Sequence, residues 1–162
     1  MRWVLAAALV CAAGMAQAQD QALPKVGAHP AQPEVTVAFD RRANIAARLV
    51  VDRSGKAATE VTKPVQLRFE AELVPVDGAG AGEVKLTCRV VFVKADGSTT
   101  APARDRACYA GPLAAVEVDA PFRFRPGQDD PAGATGVMLI VRDEVTRKER
   151  KVMVTYGWMP EE

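Results

Sequence analysis

The chain has 162 residues, with 21 Lys or Arg against 20 Asp or Glu and a formal net charge of +1 at pH 7. A balance this close to neutral gives no strong overall field, which argues against nucleic acid or an anionic membrane surface as the main partner. The length is ordinary for one domain and is sufficient to bury a hydrophobic core.

The first 18 residues have the order of a secretory signal peptide. Arg2 is basic, residues 4–15 are almost wholly apolar, and Ala16 and Ala18 of the AQA sequence at 16–18 are small residues at the two positions that a signal peptidase must fit. The apolar run makes about 18 Å of helix, too short to cross a bilayer, so no membrane span is expected after cleavage. Cys11 offers the alternative of a lipidated cysteine, but the apolar run before it is very short. Cleavage after Ala18 is therefore the prediction.

Residues 19–33 contain three prolines and no hydrophobic periodicity. We interpret this segment as a flexible, proline-rich leader. His29, the single histidine of the chain, lies within it. Ser-His-Asp and Cys-His enzymes need an imidazole held beside their nucleophile, and zinc and copper sites commonly use one as a ligand. The sequence therefore argues against these classes, and no cofactor is expected.

After the leader, the dominant signal is an alternation of apolar and polar side chains, typical of strands with one buried face. The alternating runs, in chain order, are 35–39, 45–51, 65–73, 84–92, 116–124, 137–141 and 152–158. Residues 41–51 are ambiguous because Ile45 and Leu49 also have helical spacing. Either a strand or a short helix is expected there.

Turn-forming residues separate these runs. Gly, Asp, Ser and Pro are concentrated at 53–56, 77–82, 96–98 and 126–136, whereas 143–150 has the position of a hairpin loop but no glycine. Short strands with hairpin-length links favour antiparallel sheets, and half-buried strands need a second apolar layer. The sequence therefore predicts an all-β, two-sheet antiparallel sandwich of about seven strands over residues 34–159, with 160–162 as a tail.

Cys88 and Cys108 are the two cysteines that remain after the signal peptide is removed. Paired cysteines in an exported protein are usually oxidised, so a disulfide between them is predicted. It would close a loop of about 20 residues and contribute roughly 3 kcal/mol. A redox-active pair is the alternative, but the spacing is far from Cys-x-x-Cys. Cys88 shares the inward phase of its strand, so Cys108 should meet it from a neighbouring strand or loop.

Residues 126–133 (PGQDDPAG) lead into residues 136–143 (GVMLIVRD). This segment resembles the C-terminal part of bacterial extracytoplasmic immunoglobulin-like or fibronectin-like modules. In those modules a loop that ends in glycine leads into a strand that stops at an aspartate turn, and the last strand pairs back with it. The resemblance covers about residues 126–156. It lacks the core tryptophan beside the disulfide of antibody domains. It implies an immunoglobulin-like sandwich and no functional residue.

Adjacent acids occur at Asp129-Asp130 and at Asp143-Glu144. Two carboxylates can hydrolyse a glycosidic bond when one of them is kept protonated, and the first pair could contribute to a calcium site. Both pairs lie in turn-like segments without regular calcium-loop spacing. We expect acids that cap turns, and no enzyme.

Two surface features are candidates for binding a partner. The basic residues are Arg147, Lys148, Arg150 and Lys151, and the aromatic residues are Tyr156 and Trp158. A basic loop can dock an acidic partner, and exposed aromatic rings give contact area at low entropic cost. Both aromatic residues also keep the inward phase of the last strand, which favours core closure at the end of the sandwich, and projection from the surface is the alternative for them.

From these features we expect a periplasmic or secreted, non-catalytic interaction or accessory module that binds a protein of the cell envelope. Candidate surfaces are a sheet edge, the basic hairpin and the C-terminal aromatic strip. A sandwich that binds a small ligand or carbohydrate is the second hypothesis.

Overall fold

The computed structural model describes residues 29–30, 34–58, 60–61, 65–77, 82–100 and 104–157. The predicted signal peptide (1–18), most of the leader, Trp158 and the tail 160–162 lie outside these residues. The strands are β1 His29–Pro30, β2 Val35–Ala38, β3 Ala43–Val51, β4 Glu60–Val61, β5 Leu67–Pro75, β6 Glu83–Lys94, β7 Arg106–Pro112, β8 Val116–Glu117, β9 Phe122–Phe124, β10 Ala134–Asp143 and β11 Glu149–Thr155.

Two antiparallel sheets form the body of the molecule. Sheet I has the order β2-β3-β5-β8, and β9 also pairs with β5; sheet II has the order β11-β10-β6-β7. The backbone of β1 pairs separately with β4. The prediction of an all-β antiparallel sandwich is confirmed, with nine strands in the two sheets of the described residues where about seven were expected.

The hydrophobic core lies between the sheets because alternate side chains of each strand turn inward. Fully buried side chains from both sheets include Ile45, Leu49, Leu67, Leu73, Val84, Leu86 and Leu139. Aromatic rings join the layers at one side: Phe92 of sheet II lies 5.2 Å from Phe124 of sheet I, centroid to centroid, and Phe124 lies 5.1 Å from Tyr156. Such ring pairs add to the burial that holds the sheets together.

The ambiguous segment 41–51 is a strand. Its residues from Ala43 to Val51 pair in unbroken register with Pro75 to Leu67 of β5. Ile45 and Leu49 are buried along with the alternate residues between and before them. Alternation, and not the helical spacing of two residues, therefore decides the structure.

The run 116–124 is not one strand but two, β8 and β9. Between them the chain turns across the edge of the sandwich: Val118 N–H donates to Ala71 O, and Asp119 N–H donates to Cys108 O. The second bond joins a sheet I segment to sheet II. Pro121 lacks a backbone N–H, which is consistent with an interruption at this point.

Cys88 and Cys108 form the predicted disulfide, and their Cα atoms are 5.7 Å apart. Leu86 pairs with Tyr109 and Thr87 pairs with Ala107, so Cys108 is the extra residue of a β-bulge in β7. Both cysteines are buried. The bulge turns Cys108 toward the core, where it meets Cys88 from the neighbouring strand.

An ion-pair network covers the outer face of sheet I, and Glu70 is at its centre. Arg48 and Arg68 each donate to Glu70 through Nε at 3.0 Å. Partial burial raises the pKa of Glu70, but the hydrogen bonds and positive charges of the two arginines outweigh it, so the pKa lies below its ordinary 4.5. The network thus stabilises the fold fully above about pH 4.5, and this contribution is lost as the pH falls through the folded-state pKa.

We expect Glu70→Gln to lower the free energy of unfolding by roughly 1 kcal/mol at pH 7, and the difference from wild type to shrink as the pH falls below about 4.5 and through the folded-state pKa of Glu70. Urea unfolding at a series of pH values from 7 downward measures this. Glu72→Gln is the control, because Glu72 is exposed and has no ion pair within the described residues. A difference that stays constant with pH would contradict the assignment.

Candidate functional site

The basic residues lie on the hairpin between β10 and β11, which Asp143 organises. Its side chain is fully buried. Its Oδ1 accepts from Val145 N at 3.0 Å, and its Oδ2 accepts from the Thr146 hydroxyl at 2.8 Å. Its backbone O also accepts from Arg147 N at 2.7 Å. The turn thus closes on one buried carboxylate.

The hairpin turns without glycine because Arg147 takes the left-handed backbone conformation, with φ of 60°. A non-glycine residue adopts this conformation at some cost, and the hydrogen bonds around Asp143 offset it. The predicted hairpin is confirmed, although its loop is limited to residues 144–148 because Asp143 ends β10 and Glu149 begins β11. Arg147 occupies the position where glycine is more usual.

Glu144 anchors the hairpin to β6. Its backbone N–H donates to Lys85 O at 2.7 Å. Its carboxylate accepts from the Thr87 hydroxyl at 2.8 Å, from Arg142 Nε at 2.8 Å and from Arg147 Nη1 at 2.9 Å. The hydrogen bonds of Thr87 and Arg142 hold the pKa of Glu144 below its ordinary range. The hairpin is therefore fixed on a rigid strand.

Three of the four predicted basic residues remain free of ion pairs within the described part of the chain. Lys148, Arg150 and Lys151 are exposed, and none has an acidic side chain within ion-pair distance there. Arg147 is exposed too, but it already pairs with Glu144. The arginines that pair with acids elsewhere are Arg42, Arg48, Arg68, Arg89, Arg123, Arg125 and Arg142. Lys148, Arg150 and Lys151 together are called the basic tip below.

Tyr156 belongs to the core, which confirms the core closure that its inward phase favoured, and the alternative of a surface anchor is wrong for this residue. It is 2% exposed, and its hydroxyl donates to Asp130 Oδ2 at 2.8 Å. Burial, and then the hydrogen bond and charge of Asp130, raise the pKa of Tyr156 far above its ordinary value, so the hydroxyl stays protonated. Trp158 lies outside the described residues. Tyr156 therefore contributes no exposed ring to an aromatic strip.

The adjacent acids hold turns together. Asp129 accepts from the Arg125 backbone N at 2.7 Å and from its Nε at 3.1 Å. Asp130 accepts from Gly127 N at 2.7 Å and from Tyr156. Among the residues that the structure describes, no three His, Cys, Asp or Glu side chains are grouped as metal ligands. The acids of both pairs are engaged in hydrogen bonds within the fold.

A second group of basic residues was not predicted from the sequence. Arg89, Arg104 and Arg106 line one groove at the edge of the sandwich. The available signal was the triplet at 104–106 (RDR) just before Cys108. It could not be interpreted from sequence alone because Arg89 lies on the preceding strand and the bulge in β7 breaks the alternation.

The fold and the site together define an all-β two-sheet sandwich with one disulfide and a braced basic hairpin. Comparisons with family models, with curated proteins and with solved structures found no match for this chain. No helix in the described ranges is long and apolar enough to span a membrane.

Proposed function

We propose that this chain is a non-catalytic interaction module that binds an acidic protein partner of the cell envelope through the basic tip. The observation that carries the proposal is the contrast in ion pairing. Many arginines pair with nearby acids, whereas Lys148, Arg150 and Lys151 are exposed and make no ion pair among the described residues, and they are concentrated within four positions that also include Glu149. Exposed charges of one sign favour encounter with a surface of the opposite sign.

The hydrogen bonds beneath the basic tip hold it in one conformation, which favours a role in recognition over that of a flexible charged loop. Asp143 is buried, and Glu144 is held by β6. A preorganised loop loses less conformational entropy when it binds, so more of the contact energy appears as affinity. Lys151 and Met153 also point from the same face of β11, and Met153 is 39% exposed. A partner with acidic groups beside a small apolar surface would match both.

An extracytoplasmic location is part of the proposal. The signal-like residues 1–18 and the disulfide between Cys88 and Cys108 support it, because disulfides persist in oxidising compartments. An immunoglobulin-like or fibronectin-like classification is also proposed. It is supported by two antiparallel sheets between which the chain crosses after β5, β7 and β9.

The test uses two variants that each remove three positive charges. We expect Lys148→Ala/Arg150→Ala/Lys151→Ala to weaken binding to the envelope partner at least tenfold and to reduce its salt dependence. The matched control is Arg41→Ala/Arg53→Ala/Lys56→Ala, which removes exposed cations elsewhere. Partners captured by crosslinking from envelope extract and identified by mass spectrometry would then be purified for affinity measurements.

Equal losses in the two variants would show that only net charge matters, and the tip would not be the binding site. Unchanged capture by the tip variant would also overturn the proposal. Charged side chains on an edge strand can also prevent self-association. Size-exclusion chromatography of both variants tests whether the basic tip has this role instead.

A further inference from the structure

A groove lies at the open edge of the sandwich, where sheet II ends at β7 and the chain passes between β8 and β9. Its volume is about 170 Å³. The lining residues are Cys88, Arg89, Val90, Arg104, Arg106, Asp119, Ala120, Pro121 and Phe122. The hydrogen bond from Asp119 N to Cys108 O joins the two walls, and the disulfide links β6 to β7 within the sheet II wall.

Guanidinium donors in this groove outnumber the acceptors available to them. Arg89 Nε is buried and has no hydrogen-bond partner in the described structure. Its Nη1 lies 3.8 Å from Asp105 Oδ1, which is too long for a hydrogen bond. Arg104 and Arg106 are exposed and have no ion pair with any residue that the structure describes. Arg89 Nε itself has almost no accessible surface, so a ligand in the groove would meet the exposed part of the Arg89 side chain and the guanidinium groups of Arg104 and Arg106.

The rest of the lining is largely apolar. Val90 and Phe122 are partly buried and pack against the core, and Ala120 and Pro121 add further apolar surface to the lining. Asp119 is the one acidic residue in the lining, against three arginines. A positively charged groove with an apolar floor fits a ligand that carries a negative charge on an apolar body.

We propose that this groove binds a small organic carboxylate. The planar guanidinium group forms paired hydrogen bonds with a carboxylate, and arginine is favoured where such recognition matters. The apolar body of the ligand would lie against Phe122 and Val90. The groove is smaller than the roughly 300 Å³ at which drug-sized pockets begin, so only a compact ligand fits. This site is separate from the basic tip and does not depend on the function proposed for it.

Benzoate is the probe. It is titrated into the full exported protein, and binding is followed by backbone NMR chemical shifts and by calorimetry. We expect shifts centred on Arg89, Arg106 and Phe122, and at least a tenfold loss of affinity in Arg104→Gln/Arg106→Gln. Arg41→Gln/Arg53→Gln is the matched control and should bind like wild type. Asp119→Asn should bind more tightly, because the competing carboxylate is gone.

Two further probes separate the contributions of charge and apolar surface. Inorganic phosphate offers charge alone and benzyl alcohol offers the ring alone, so both should bind at least tenfold more weakly than benzoate. Phosphate that binds as well as benzoate would overturn the assignment of an organic carboxylate. The absence of localised shifts at 10 mM benzoate, or equal loss in the control variant, would overturn the site itself. Thermal unfolding of each variant confirms that it remains folded.

Discussion

Asp143→Ala is expected to lower the free energy of unfolding by about 3 kcal/mol. The carboxylate is fully buried and accepts from Val145 N and the Thr146 hydroxyl, and Arg42 Nη2 lies 3.8 Å from it. Alanine would leave these donors unsatisfied, and the loss of a buried hydrogen-bonded group typically costs this much. Urea unfolding followed by circular dichroism measures the change.

Two comparisons make this expectation specific. Asp143→Asn keeps the volume and one acceptor oxygen, so it should cost less than alanine, on the order of 1–2 kcal/mol. Asp96→Ala removes an exposed turn aspartate that accepts from Ser98 N at 2.8 Å, and it should cost less than about 1 kcal/mol. If Asp143→Ala and Asp96→Ala destabilise the protein equally, Asp143 does not organise the hairpin.

The same substitution connects fold and proposed function. Arg147 keeps its left-handed conformation because Asp143 and Glu144 surround the turn with acceptors. Without the Asp143 carboxylate, the hairpin should become mobile while Lys148 and Arg150 remain present. Partner binding should therefore weaken even though no charge of the basic tip has been removed.

Period-two alternation was sufficient to predict the sandwich, because burial of one face is a property that each strand displays locally. It left β3 as either a strand or a short helix, and the pairing of β3 with β5 along its full length shows that it is a strand. It missed β7 because the bulge at Cys108 interrupts the alternation. It merged β8 and β9 because the residues between them continue the pattern while the chain leaves the sheet.

The candidate site was predictable only in part. The position of the hairpin and its basic residues follow from the sequence, since exposed turns are local features. The partners of Glu144 do not follow, because Lys85 and Thr87 are distant in the chain and only the β6-β10 register brings them close. The arginine groove was hidden for the same reason: Arg89, Arg106 and Asp119 lie on three different segments.

Removing the disulfide with Cys88→Ala/Cys108→Ala is expected to lower the free energy of unfolding by about 3 kcal/mol. The bond closes a loop across a separation of 20 residues, and opening it increases the entropy of the unfolded chain. The loss should appear mainly in β7, an edge strand that only β6 pairs within sheet II. The groove should therefore lose affinity for benzoate as well, since Arg106 lies on β7.

Reduction of the wild-type protein separates the crosslink from packing. Wild type with reductant should match the double variant to within about 1 kcal/mol, because both lack the covalent bond and differ only in two buried sulfur atoms. Urea unfolding with and without dithiothreitol measures this, and intact mass confirms the redox state. Hydrogen exchange should show β7 opening first, because its remaining ties are the β6 ladder and the bond from Asp119 N to Cys108 O. Unchanged stability on reduction would mean that hydrogen bonding and packing alone hold this edge.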